Sequence, residues 1–164
     1  MKELKKVFAC NKKTSCMKCG ACCIIRDKAI MSPQQDRKLR AEIYERVGIL
    51  YLYPFNRYTI SLSHEEKEFF EKESIIRGIN IKIIPKKIKF FDGKPVVIDW
   101  SLDHDVCPFF DVDKKNCTVY DSRPSVCKSF PNEHKFDFVK DSGNIQKLPF
   151  SDSLKIAKNC VLKI

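Results

Sequence analysis

The chain has 164 residues, 43% hydrophobic and 32% charged, which suits one domain with a buried core and a solvated surface. No apolar run is long enough to span a bilayer, and the early stretch Val7, Phe8, Ala9 and Cys10 is too short for a signal-peptide core, so the expected location is the cytoplasm, where thiols stay reduced. The net charge of +10 raises nucleic acid as a partner, but the lysines are scattered in short runs such as Lys86-Lys87 and Lys114-Lys115, and a solvated lysine surface accounts for them better.

Taken in chain order, the first feature is a cysteine loop over about residues 10–24. A helix follows it. Ser32 is placed to cap its start, Pro33 suits the first helical position and Gln35 completes a capping box. Leu39, Ile43 and Val47 recur at helical spacing, and Gly48 suits the end. The middle stretch, about residues 50–103, contains no cysteine and reads as support for the rest and as a candidate lid over the metal region. In it Ser63 and Glu66 form a second capping box before a helix that Gly78 ends. Ile79, Ile81 and Ile83 then alternate as in a strand. Ile88 and Phe90 lead into the hairpin turn Asp92-Gly93, with Val96, Ile98 and Trp100 on the return. The last stretch opens with a small hairpin that carries Cys107 and Cys117 about a polar turn at Asp113–Asn116. Asp121 or Ser122 is placed to cap a short helix with Arg123, Pro124 and Cys127. Phe136 and Phe138 suggest a further strand, and Leu154 to Cys160 a final helical turn. The expected fold is a small single α+β domain spanning residues 1–164, with short strands and helices organised around a cysteine metal centre that joins the two ends of the chain.

Nine cysteines are many for a reducing compartment, and five of them fall between Cys10 and Cys23, a clustering that reads as metal ligands or redox groups. The bland alternative, nine buried thiols acting as small hydrophobes, needs no such clustering. Cys16, Cys19 and Cys22 form C-x2-C-x2-C, a spacing that can turn three sulfurs toward one inorganic centre. The same spacing opens the bacterial ferredoxin motif, whereas zinc sites more often pair two C-x2-C knuckles. Iron–sulfur, as [4Fe–4S], is therefore favoured over zinc, and both stay open. Cys23 adjoins Cys22 and points elsewhere, so one of the two serves a second centre or remains a thiol. Cys107, Cys117, Cys127 and Cys160 are the remote candidates. With Cys16, Cys19, Cys22 and Cys23 they make eight thiols, enough for two four-cysteine sites; Cys10 is left out. Two such sites would lower the net charge to about +6, since each carries about −2. Arg123 is a candidate to offset thiolate charge, to anchor Asp121 or to bind an anionic substrate. Tyr120 reads as core. His64, His104 and His134 read as ordinary residues, with His104 the one placed to replace a thiolate. The chain has no radical-SAM C-x3-C-x2-C, no haem C-x-x-C-H and no G-x-G-x-x-G.

Cys16-Met17-Lys18-Cys19-Gly20-Ala21-Cys22-Cys23 resembles the C-x-x-C-G-x-C-C signature of the zinc- or iron-chelating cysteine-cluster (CxxCxxCC, YkgJ-like) family. Cys107-Pro108-Phe109-Phe110 is similar to its second element. The run from Cys117 through Tyr120, Arg123 and Pro124 to Cys127, followed by Phe130-Pro131, is similar to its C-x-x-Y-x-x-R-P-x-x-C element. The family in turn is similar to part of the flagellin lysine N-methylases. The resemblance implies metal chelation and no particular reaction, and Cys160 lies outside the matched elements. The expected role is an iron–sulfur electron-transfer or accessory protein with a protein or redox partner. The alternatives are an oxidoreductase or methyl-transfer-associated enzyme with an open metal position, and a zinc-stabilised module that binds RNA or protein.

Overall fold

The computed structural model describes Gly20, residues 23–24, 31–55, 60–129 and 148–161. Cys10, Cys16, Cys19, Cys22 and His134 lie outside the described residues, as does the strand expected at Phe136 and Phe138.

Local signals set the first two helices. In α1 (Pro33–Val47) Ser32 and Gln35 satisfy each other's backbone donors, and Gly48 closes the last turn. The same device at Ser63 and Glu66 starts α2 (His64–Arg77), which ends at Gly78. The buried face of α1 differs from the apolar stripe expected of it. Leu39 is exposed, whereas Asp36 and Tyr44 are buried. Asp36 can be buried because both carboxylate oxygens are engaged, one with Arg40 Nε at 2.8 Å and the other with the Phe55 N–H at 2.6 Å.

Strands β1 (Ile49–Tyr51), β2 (Ile60–Leu62), β3 (Ile83–Phe91) and β4 (Lys94–Leu102) form an antiparallel sheet in the order β1-β3-β4-β2. The central hairpin turns at Asp92 and Gly93, both at positive φ (48° and 74°), as a two-residue primed turn requires. Its register shifts near Pro85, Lys87 and Ile88. The alternation expected along Val96, Ile98 and Trp100 holds, but Val96 and Ile98 lie on the exposed face, while Val97 packs inward. Ile79 and Ile81 precede β3 rather than joining it. A second, two-stranded sheet pairs β5 (Phe110–Asp111) with β6 (Asn116–Cys117), and α3 (Ser125–Ser129) and α4 (Phe150–Val161) complete the order. At 12 residues, α4 is longer than the single turn expected.

Two hydrophobic clusters result. One joins Tyr44 of α1, Leu50 of β1, Ile88 and Phe90 of β3, and Phe150, Ala157 and Val161 of α4. A buried Tyr44–Ser153 hydroxyl contact of 2.7 Å ties its two helices together. The other joins Ile60, Leu62 and Leu102 of the sheet to Phe70 of α2 and to Cys107, Phe109, Phe110 and Val119. Among the described residues no helix is long and apolar enough to cross a membrane.

Candidate metal centre

The segment that carries Cys107 is anchored upstream. The Asp103 N–H donates to Lys82 O (2.8 Å), the Lys82 N–H donates to His104 Nε2 (2.6 Å), and Lys82 Nζ pairs with the Asp103 carboxylate (2.6 Å). Burial holds the His104 pKa below its ordinary value, so the ring is neutral and Nε2 accepts. With Nε2 so engaged, His104 serves the backbone here rather than replacing a thiolate. His64 lies 3.5 Å from Glu68, on the exposed side of α2.

Four residues downstream of Asp103 the chain meets the N-terminal cysteine loop. The Cys107 N–H donates to Cys23 O (2.6 Å), and Val106 pairs with Ile24 in an isolated antiparallel bridge. Cys23 is itself held by a turn, its N–H on Gly20 O at 2.9 Å. Gly20 is buried at φ 75° against the Phe110 ring. A Cβ there would fall 2.8 Å from Cε1 and nearer still to Cζ. Glycine is thus required twice, by the left-handed backbone and by the ring's approach.

The second element folds back on itself. The Phe110 N–H bonds Cys107 O (2.9 Å), Phe110 pairs with Cys117 across the small hairpin, and Thr118 donates to Phe109 O through both its N–H (2.8 Å) and its hydroxyl (3.0 Å). Phe109 anchors this hairpin on α2, its ring centroid 4.9 Å from that of Phe70. The chain then turns into α3, where the Cys127 and Lys128 N–H groups donate to Pro124 O. The start of α3 is held from α2. Glu66 Oε1 accepts both the Ser125 N–H (2.6 Å) and its hydroxyl (2.7 Å), while Oε2 still accepts the Ser63 N–H (2.9 Å). Sequence pattern singled out Glu66 for α2 alone; a bond spanning 59 residues leaves no local signal.

Cys107 is therefore buried in the second cluster, and Cys23, Cys117 and Cys127 pack against that same cluster. Cys160 lies apart, exposed on α4, whose buried residues belong to the other cluster. None of these five cysteines is in a disulfide. Among the described residues no three His, Cys, Asp or Glu side chains form a group able to hold a metal ion. The loop's Cys16, Cys19 and Cys22 are not among those residues. The donor chemistry nonetheless suits a thiophilic centre. Four thiols of two remote segments gather about one apolar cluster, and the cradle between Gly20 and Phe110 fixes the loop against it.

Arg123 and Tyr120 lie in the turn before α3. Arg123 Nε donates to Tyr120 O (2.7 Å), and its guanidinium carbon sits 3.7 Å from the centroid of the Tyr120 ring. Tyr120 is half-buried beneath this cation rather than in the core.

Residues 15–147 match the model of the family CxxCxxCC, described as "Putative zinc- or iron-chelating domain". The chain belongs to the CxxCxxCC family. The matched region covers both cysteine elements and the cysteine-free middle between them, and it leaves Cys160 outside. No curated protein and no solved structure matches the chain.

Proposed function

We propose that this CxxCxxCC protein binds an iron–sulfur cluster, or else zinc, through Cys16, Cys19, Cys22 and Cys23 of the first segment and Cys107, Cys117 and Cys127 of the second, and that it acts as an electron-transfer or accessory protein. The observation that carries the reading is the direct backbone bond between Cys107 and Cys23, which brings the two cysteine segments onto one apolar cluster. An iron–sulfur cluster would supply one-electron chemistry, and zinc a redox-inert structural or Lewis-acid centre. Phe109, Phe110 and Val119 are buried with Cys107 in one cluster, and a site beside them would be shielded from water on that side, which would support a stable cluster.

Anaerobic purification with iron, zinc and acid-labile sulfide analysis tests this. The expected product is brown, with sulfide matching iron. Cys127→Ser should lower metal content and thermal midpoint together, while Cys160→Ser, outside the set gathered at the cluster, should change metal content less. A colourless protein holding stoichiometric zinc would replace the iron–sulfur reading with the zinc one. A protein that takes up neither metal, with all nine thiols titrating, would reject both.

A further inference from the structure

Arg123 stands between Cys117 and Cys127, and its side chain is fixed on two sides by the Tyr120 carbonyl and the Tyr120 ring. Its Nη1 is buried and, among the described residues, has no hydrogen-bond partner. Asp121, the carboxylate two residues before Arg123, is exposed. A buried N–H of a cation without an acceptor is costlier than a neutral one, and a guanidinium cannot relieve the cost by losing its proton. An acceptor brought by a ligand would remove that cost.

We infer that Arg123 is the charge-compensating residue of the cysteine centre, its Nη1 donating to thiolate sulfur once metal is bound. The inference rests on the metal-binding reading above. The residue after Arg123 is the one that fixes Cys127, since Pro124 O accepts the Cys127 N–H at 2.9 Å. Cys117 and Cys127, on either side of Arg123 in the chain, pack on the same apolar cluster. Thiols are neutral, but a four-thiolate site around a divalent ion carries about −2. Beside apolar walls that charge is poorly solvated and calls for a cation and N–H donors. Arg123 thus favours the metal-loaded protein, in which its Nη1 gains an acceptor.

This gives a signature that a purely structural arginine lacks. A residue that only stacks on Tyr120 stabilises empty and loaded protein alike. A charge-compensating one stabilises the loaded protein alone. Arg123→Gln and Arg123→Lys are compared with wild type in thermal melts of the metal-free and zinc-loaded forms, and in competition for zinc against a chromogenic chelator. Arg123→Gln should weaken zinc binding about 10- to 100-fold, with the metal-free midpoint unchanged or raised. Arg123→Lys, which keeps the charge, should fall between. Equal losses in both forms with unchanged zinc affinity would overturn the inference, as would stabilisation of the metal-free protein by inorganic phosphate that Arg123→Gln abolishes. Wild-type protein that binds neither zinc nor iron would instead reject the metal reading itself.

Discussion

Gly20 shows how a single residue can tie the cysteine loop to the rest of the molecule. Its φ of 75° and its contact with the Phe110 ring are separate demands, and alanine fails both. A left-handed alanine costs about 1–2 kcal/mol, and the methyl must also push Phe110, itself buried, out of the second cluster. Gly78 offers the control. It has a similar φ of 64°, but nothing lies within 4 Å of the Cβ it would gain. Gly78→Ala should therefore cost about 1 kcal/mol in chemical denaturation with zinc affinity intact. Gly20→Ala should cost roughly 2–4 kcal/mol and weaken zinc binding as well. Matching effects of the two substitutions on both measurements would show that the Phe110 contact plays no part in holding the loop.

At the scale of elements, Glu66 is the link between the frame and the centre. One carboxylate caps α2 through Oε2 and holds the first turn of α3 through Oε1. A five-residue helix has too few internal bonds to persist alone, so α3, and with it Cys127, depends on such ties. Ser63→Ala removes only the hydroxyl cap on the Glu66 N–H and should cost about 1 kcal/mol without altering Cys127. Glu66→Ala leaves that cap but removes the carboxylate bonds to the Ser63 N–H and to Ser125, and in metal-free protein the Cys127 thiol should react faster with a maleimide, read by peptide mass mapping. Equal Cys127 reactivity in the two variants would separate Glu66 from the site. The elements legible in the sequence were those specified by neighbouring residues: both capping boxes, Asp92-Gly93 and the small hairpin, although only Cys117 lies on one of its arms and Cys107 precedes β5. Less legible were features set by distant partners. The buried stripe of α4 runs Phe150, Ser153, Ala157, Val161, and a serine satisfied by Tyr44 disguises it as polar. The buried face of α1 is masked in the same way by Asp36, whose partners include the Phe55 backbone 19 residues on. For the site, cysteine spacing named the thiols and the resemblance implied metal, but neither announced that Gly20 rests on Phe110 or that Glu66 reaches Ser125.

Across the whole molecule, the two clusters divide stability from chemistry. The hairpin β3–β4 spans them, with Ile88, Phe90 and Val97 in the first and Ile83, Trp100 and Leu102 in or against the second. The first cluster contains no cysteine among its members, and its helices α1 and α4 are joined through Tyr44 and Ser153. It should therefore survive metal removal. The second has an apolar base of Ile60, Leu62, Phe70 and Leu102, which is independent of the thiols, but above that base β5, β6 and α3 are too short to hold themselves. Metal bound between the two cysteine segments, as proposed above, would supply the missing free energy where local structure is weakest. Hydrogen exchange followed by mass spectrometry, before and after chelation, measures this directly. Peptides from residues 107–129 should lose protection on chelation, whereas those from residues 41–53 and 150–161 should change little, and far-UV circular dichroism should retain most of its helical signal. Uniform loss across all of these peptides would make the metal the nucleus of the entire fold. Unchanged exchange at 107–129 would mean that this segment is held by its apolar contacts and by Glu66 alone.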